Sequence, residues 1–370
     1  RAQGIPIWSE IELAWRFLRG RLAAVTGSNG KTTTTALIGH ILETAGIPML
    51  VAGNIGTPLI SRVEASSDST VTVAELSSFQ LETIESLRPD IAVLLNLTPD
   101  HLDRHASFEE YVRAKARMFE NQTEQDAAVV NADAIATQYV PLRPRLFWFS
   151  RLQRVASGAF LRGEEIVFCS DGAETVLLRR GDIGLRGEHN VENVLAASAA
   201  ALLAGAAPDA IAAGVRSFAG VEHRLEFVAE IGGVSFYNDS KATNVDATLK
   251  AVDAFAGNLL VILGGKDKGG DFTLLREPLR RRARLALLVG AAAEKIAVQL
   301  AGALPVERAG ELDRAVRLAF EHARSGDVVL LAPACASFDQ FENFEHRGRV
   351  FKQLVRQLGQ QHAGEPARSS

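Results

Sequence analysis

Gly27, Gly30, Lys31 and Thr32, in the run LAAVTGSNGKTTTTALIGHILETAG, have the types and spacing that hold a polyphosphate. Glycines let backbone N–H groups close around phosphate oxygens, and the N-terminus of the following helix adds its dipole. The lysine meets the outer phosphates, and the threonine hydroxyl can ligate Mg²⁺. The general pattern G-x-x-x-x-G-K-[ST] is met except at its first position, where Val25 stands and a glycine comes only at Gly27. A Gly-rich turn that merely reverses the chain is the plainer alternative. Mg²⁺ wants oxygen ligands, and a carboxylate at a neighbouring strand end is a usual way to fix it. Glu75, closing TVTVAE, fits that need, although a strand-end glutamate can equally be a solvated surface charge. Asp100, His101 and Asp103 form a dense polar cluster in LNLTPDHLDRH, readable as a functional site or as a helix cap with a solvated turn.

Lys115 stands out by its neighbours. In SFEEYVRAKARMFEN the apolar positions Phe108, Tyr111, Val112, Met118 and Phe119 share a helical face, and the spacing puts Lys115 on it. A buried lysine is costly unless paired or chemically altered; a lysine whose stem packs while its ammonium reaches water is the other reading. In the second half, Asp239, Lys241 and Thr243 (YNDSKATN), Lys266 and Lys268 (GGKDKGGDF) and Ser337 (APACASFDQ) offer charged and hydroxyl groups to an anionic small molecule or to the far side of a nucleotide. Cys335 has no His–Asp partner pattern and reads as a packing residue.

These residues need strand ends to present them, and short apolar runs alternate with helical patterns almost throughout, as in βαβ units with a largely parallel sheet. The runs read as strands are 22–25, 71–74, 91–95, 127–130, 234–237, 259–263, 285–289 and 328–331. Most of them lead straight into the clusters above, and ligands of open α/β sheets gather beyond the carboxyl ends of strands. A boundary is expected near Ser217–Val221, after the Ala-rich helix Asn190–Leu203, giving domains at 21–217 and 221–357. Residues 1–20 read as a linker, and the polar tail 358–370 as disordered.

Bulk properties narrow the partners. A chain of 370 residues suits two domains, because single cores stop growing near ~250–300 residues. Hydrophobic residues at 47% and charged residues at 23% are an ordinary globular balance. A net charge of −4 and a pI near 6.1 give no basic face, so no nucleic-acid partner is expected. Two cysteines, Cys169 and Cys335, make a disulfide framework unexpected and suit a reducing cytoplasm. The longest apolar run, Val194 to Ala207, is shorter than the roughly 20 residues that cross a bilayer; it reads as a buried helix, and no membrane association is expected.

Taken together, VTGSNGKTTT, GNIGTPL, ELSSFQLE, LNLTPDHLDRH, YVRAKARMFEN, LRGEHNVEN, VEHRLEF, NDSKATN, LGGKDKGGDF and LAPACASFDQFENFEHRG resemble the Mur ligase superfamily, and within it the D-glutamate-adding branch. The strings run in the family's order from about Ile5 to Leu358; SSFQLE and the ACASFDQFENFEHRG string are the branch-specific ones. The resemblance implies an α/β protein with a central P-loop-type ATPase domain on a mostly parallel sheet, followed by a Rossmann-like C-terminal α/β domain. It implies ATP-dependent amide formation between UDP-N-acetylmuramoyl-L-alanine and D-glutamate through an acyl phosphate. By position, Gly27, Ser28, Asn29, Gly30, Lys31, Thr32 and Thr33 would hold the nucleotide phosphates, with Asn193 at the adenine and Arg224, Asp239 and Lys241 on the nucleotide from the second domain. Thr32 and Glu75 would ligate one Mg²⁺; His101 and a carbamylated Lys115 would serve a second. Asn54, Ser77 and His101 would face the muramoyl substrate, and Thr243, Lys268, Ser337, Phe338 and Phe344 the D-glutamate. Lys31, Glu75, His101 and Lys115 form the catalytic set, and the family precedent is a monomer in the bacterial cytoplasm.

Full members of that family carry a further N-terminal domain for the UDP moiety, and the sequence here begins at the linker that follows it. The resemblance therefore implies near-intact ATP binding with weakened UDP-sugar affinity. Two rival readings stand beside the ligase: a folylpolyglutamate-synthase-like enzyme that adds L-glutamate, and a catalytically incomplete nucleotide-binding fragment.

Overall fold

Runs such as Leu22–Val25 lack polar alternation, which a strand tolerates only where both faces of its sheet are covered. The computed structural model describes residues 6–54, 56–100, 104–134 and 143–364, and the chain divides between Gly220 and Val221 into two units.

The first unit contains α1 (Glu10–Trp15), β1 (Arg21–Thr26), α2 (Lys31–Thr44), β2 (Met49–Gly53), β3 (Val71–Glu75), α3 (Ser78–Leu81), β4 (Ile91–Leu94), α4 (Phe108–Ala116), β5 (Ala127–Asn131), β6 (Arg145–Ser150), β7 (Gly158–Arg162), β8 (Glu165–Ser170), β9 (Ala173–Arg179), α5 (Glu188–Leu203) and α6 (Pro208–Ser217). Its sheet has the order β2-β3-β1-β4-β5-β6-β7-β8-β9. Pairing is parallel from β2 across to β7 and antiparallel at β8 and β9. Along β1, Ala23 and Val25 face a core shared with α2, α5 and α6, while Leu22 and Ala24 face a second core with α1, α3 and α4. Since β3 and β4 flank β1 on opposite sides, the strand order reverses at β1, and the crevice beyond its end is where such sheets take ligands.

The segment read as a linker is part of this unit. Ile11 and Ala14 of α1 are fully buried. Between them the Glu12 carboxylate, also fully buried, accepts from the backbone N–H groups of Glu85 (3.0 Å), Ser86 (3.0 Å) and Leu87 (2.9 Å) and from the Ser86 hydroxyl (2.6 Å). Burial pushes the Glu12 pKa up, but these donated bonds outweigh it and hold the group below its ordinary value.

The second unit contains β10 (Glu226–Ile231), β11 (Val234–Asn238), α7 (Val245–Asp253), β12 (Leu259–Gly264), α8 (Arg276–Arg282), β13 (Ala283–Val289), α9 (Ala293–Leu300), β14 (Val306–Gly310), α10 (Leu312–His322), β15 (Val328–Leu331) and α11 (Phe344–Gly364). Its sheet order is β10-β11-β15-β12-β13-β14, parallel except for the antiparallel edge strand β10. The expectation of disorder from residue 358 is corrected over part of its length. Helix α11 runs on to Gly364, because Phe351 and Val355 are fully buried and Leu358 packs on the same core. The His362 ring, edge-on to Phe320 at 5.4 Å between centroids, holds the last turns. No helix among the described residues is long and apolar enough to cross a membrane.

Candidate active site

The turn between β1 and α2 is built to leave amide groups pointing outward. Gly30 caps α2 in the left-handed region (φ +87°) and offers no side-chain cap. A Cβ there would lie 2.3 Å from the Asn193 side-chain oxygen, so only glycine fits. The first amides of α2 are thus left for an anion. The loop itself is tied to the end of β4. Ser28 N donates to Asn96 O (2.9 Å), Asn29 N to Asn96 Oδ1 (2.8 Å), and Asn96 Nδ2 returns a bond to Asn29 O (3.0 Å). The Ser28 hydroxyl donates to Thr98 O (2.9 Å) and lies 2.9 Å from the Tyr111 hydroxyl. Thr32 and Thr33 are both 2% exposed, within the first turns of α2. Asn193 is held from behind, its Nδ2 donating to Asn190 Oδ1 (2.9 Å) and its Oδ1 accepting from the Thr34 hydroxyl (3.3 Å).

Two lysines converge on one carbonyl of this loop. Lys31 Nζ donates to Gly27 O and Ser28 O, both at 2.8 Å, and Lys115 Nζ donates to Gly27 O at 2.9 Å. Lys115 is 2% exposed, with its ammonium 4.7 Å from the Tyr111 ring centroid. Burial, and then the Lys31 charge, pull its pKa well below the ordinary lysine value, while Asp100 and Glu75 act the other way. Glu75, also 2% exposed, closes β3 beside β1, where it pairs in register with Val25. Its Oε1 accepts from Asn54 Nδ2 (2.9 Å), which places Asn54 at the same strand ends. Ser77 caps α3 in a reciprocal box with Gln80. His101 and Asp103 lie outside the described residues. A threonine hydroxyl and a carboxylate beside a lysine-lined loop form a hard oxygen donor set, and that fits Mg²⁺ on a triphosphate.

In the second unit the sequence-selected residues also gather beyond strand ends. Asp239 follows β11, is 4% exposed, and its Oδ1 has no hydrogen-bond partner among the described residues. Lys241 Nζ sits 4.9 Å from the Phe344 ring centroid, and Thr243 N donates to Lys241 O (2.8 Å). Arg224 is half-buried, with its Nε lacking a partner among the described residues. Lys268 is half-buried after β12; Ser337 is buried after β15 and next to it Phe338 is 67% exposed. The Cys335 thiol is fully buried and pushed up to about 12 by burial, which leaves it inert as a nucleophile.

Burial raises the Asp239 pKa to about 6, against the opposing Arg224 charge, the Leu225 backbone bond and the Lys241 charge. The folded chain therefore holds that proton more tightly than the unfolded chain does. The stability it contributes is complete below about pH 4 and is lost as pH rises through about 6. Asp239→Asn is expected to be more stable than the parent near pH 7.5, by up to about 3 kcal/mol, with the gap closing near pH 4. Urea unfolding at the two pH values measures it; a gap that does not change with pH would contradict the assignment.

Sequence reading passed over four residues that organise these sites. Asn96 stands directly after a strand, and that position was its signal. Tyr111 reads as apolar stripe, which hides the role of its hydroxyl. His105, 2% exposed, has Nε2 3.0 Å from the Ser78 hydroxyl and stacks on Phe79, joining the chain after residue 103 to α3. Arg347, buried in the first turn of α11, carried no signal beyond its place in the FEHRG string.

Comparison with known proteins gives this geometry a lineage. The family model described as Mur ligase middle domain matches residues 25–201, and the one described as Mur ligase, glutamate ligase domain matches residues 223–335. A UDP-N-acetylmuramoylalanine--D-glutamate ligase of Solibacter usitatus is 57% identical over 360 residues, covering 97% of this chain and 80% of that protein. The protein of the same name from Koribacter versatilis is 52% identical over 363 residues, covering 98% and 80%. Among solved structures, the MurF ligase of Thermotoga maritima in complex with ADP superposes with a TM-score of 0.70 at 19% identity, covering 94% of this chain and 84% of that one. A pseudomurein peptide ligase type C from Methanothermus fervidus gives 0.70 at 19%, covering 92% and 79%. At such identities these two structures speak for the fold alone. The two domain matches in order, and identity above half along nearly the whole sequence, place the phosphate loop and the second unit's strand-end cluster in one lineage: the chain belongs to the Mur ligase family.

Proposed function

We infer that this chain is an ATP-dependent ligase that joins D-glutamate to UDP-N-acetylmuramoyl-L-alanine in the synthesis of peptidoglycan precursors. The observation that carries the reading is the β1–α2 loop, with Lys31 and Lys115 converging on the Gly27 carbonyl and Glu75 on the adjacent strand end. A carboxylate oxygen of the L-alanine residue attacks the γ-phosphorus, ADP leaves, and an acyl phosphate forms. The amine of D-glutamate then attacks the acyl carbon; the C–O bond to phosphate breaks, inorganic phosphate departs, and the amine gives up a proton.

Each residue has a part in this. Amides of Gly27 to Thr33 and the Lys31 ammonium would hold the phosphates, with Asn193 at the base and Arg224, Asp239 and Lys241 serving the nucleotide from the second unit. Thr32 and Glu75 would hold Mg²⁺, which supplies charge neutralisation on the phosphate oxygens. Asn54, by fixing Glu75, and Ser77 border the muramoyl substrate. We place a second ion at His101 and Lys115, the lysine carrying CO₂ as a carbamate. That modification resolves the cost of its burial by turning a cation among cations into an anion. Thr243, Lys268, Ser337, Phe338 and Phe344 would line the glutamate pocket, whose cationic and hydroxyl groups suit a dicarboxylate. The enzyme acts as a monomer in the cytoplasm.

Phosphate release from ATP, with Mg²⁺ and saturating UDP-N-acetylmuramoyl-L-alanine, is expected to depend on D-glutamate and not on L-glutamate at matched concentration. Dependence on the L-isomer with a pteroate acceptor would replace this reading by a folylpolyglutamate-type ligase.

A further inference from the structure

Arg347 is the largest fully buried side chain among the described residues, and none of its hydrogen bonds there goes to a carboxylate. Its guanidinium is instead held by one hydroxyl and three carbonyls. Nε donates to Ser240 Oγ (2.9 Å), Nη2 to Ser240 O (2.8 Å) and Cys335 O (3.2 Å), and Nη1 to Cys335 O (3.2 Å) and Ala336 O (3.4 Å). Ser240 Oγ in turn donates to Phe344 O (2.8 Å). The loop after β12 closes the ring: Lys266 and Ala336 exchange both backbone bonds (2.9 and 3.0 Å), and a Cβ on Gly265 (φ +132°) would lie 3.2 Å from Arg347 Nη1. Ser240 follows β11, Gly265 follows β12 and Cys335 follows β15, and these three strands are neighbours in the sheet. One side chain therefore ties two strand-end loops to the first turn of α11 directly, and a third through the Lys266–Ala336 pair.

We propose that Arg347 is a positioning residue that sets the spacing of the strand-end loops bearing Thr243, Lys268 and Ser337 and of the start of α11 bearing Phe344, and so tunes affinity for the amino-acid dicarboxylate. The inference rests on the assignment of that pocket to D-glutamate. The planar fork explains why arginine stands here, since its donors reach two loops at once in fixed directions and a lysine ammonium cannot. Burial draws the guanidinium down to about 10 against the opposing charges of Cys335 and Asp339, and it is still cationic at neutral pH.

The experiment is steady-state kinetics on the full chain with Arg347→Lys, Arg347→Met and Ser240→Ala, varying D-glutamate and ATP separately, alongside thermal unfolding. Arg347→Lys is expected to raise the KM for D-glutamate about tenfold or more, with the KM for ATP within about twofold of the parent. Arg347→Met should exceed it, Ser240→Ala should fall between parent and Arg347→Lys, and kcat at saturating D-glutamate should be largely kept. Should the methionine variant fail to fold, the lysine and Ser240→Ala variants carry the test. A lowered unfolding temperature with an unchanged KM for D-glutamate, or an equal rise in both KM values, would reduce Arg347 to a structural role. A parent enzyme indifferent to D-glutamate would remove the pocket assignment and this inference together, whereas a D-glutamate-dependent parent with unmoved variants removes the inference alone.

Discussion

Lys115→Met is expected to lower ligase turnover by about 10²–10³-fold, because the variant cannot carry the carbamate proposed to hold the second ion. Over the same substitution stability should hold or rise by about 1–3 kcal/mol, because a desolvated ion gives way to a well-packed apolar chain. The opposite signs follow from one fact, that Lys115 is 2% exposed and shares its acceptor with Lys31. The side chain is held there against its solvation preference, which stability alone does not favour. In the parent incubated with carbon-13 bicarbonate, a carbamate carbonyl resonance should appear that is missing from the variant. Unchanged turnover in the methionine variant would sink the catalytic role. A parent without the resonance would sink the carbamate while leaving the ammonium a part in holding the loop.

Glu12→Ala is expected to destabilise the first unit by about 3–5 kcal/mol, measured by urea unfolding at neutral pH. The fully buried carboxylate satisfies three consecutive backbone N–H groups and one hydroxyl and pairs with Arg16 at 3.0 Å. Truncation leaves the Leu87 N–H buried without its acceptor and removes the bonds that hold the turn at Glu85 and Ser86 to α1. Glu12→Gln, which keeps an oxygen and brings two unwanted N–H donors, should fall between alanine and parent. A loss below about 1 kcal/mol in the alanine variant would show that water replaces the carboxylate.

The strands that sequence reading found are those with apolar side chains on both faces, such as β1, β4 and β12, where burial leaves no polar position to confuse the pattern. Three of those it missed have a plain physical reason. In β9 the first four residues are exposed, in β14 only Ala309 is buried, and in β10 only Ile231. Strands near sheet edges carry charges and look like loops. For β6, RLFWFS, aromatic enrichment was a usable signal that sequence reading did not take up. The phosphate loop was legible because its chemistry is local, residue next to residue. Lys115 was legible because helical periodicity exposed a cation among apolar neighbours. Asn96 and Arg347 were not, since their work is to join segments far apart in sequence, and no local pattern records which carbonyl a side chain will meet.

The placement of β1 between β3 and β4 also shapes how this unit is made. Val25 must pair with Glu75 and Thr26 with Leu94, so neither neighbour exists when β1 leaves the ribosome. Parallel pairs of such sequence separation close slowly, because the entropy of the intervening loops is lost before their contacts reward it. The loop and its helix can form early as local structure, but the Asn96 clasp and the Glu75 carboxylate arrive only with the completed central strands. Nucleotide affinity in this unit is therefore expected to be acquired with closure of the central strands and not with collapse.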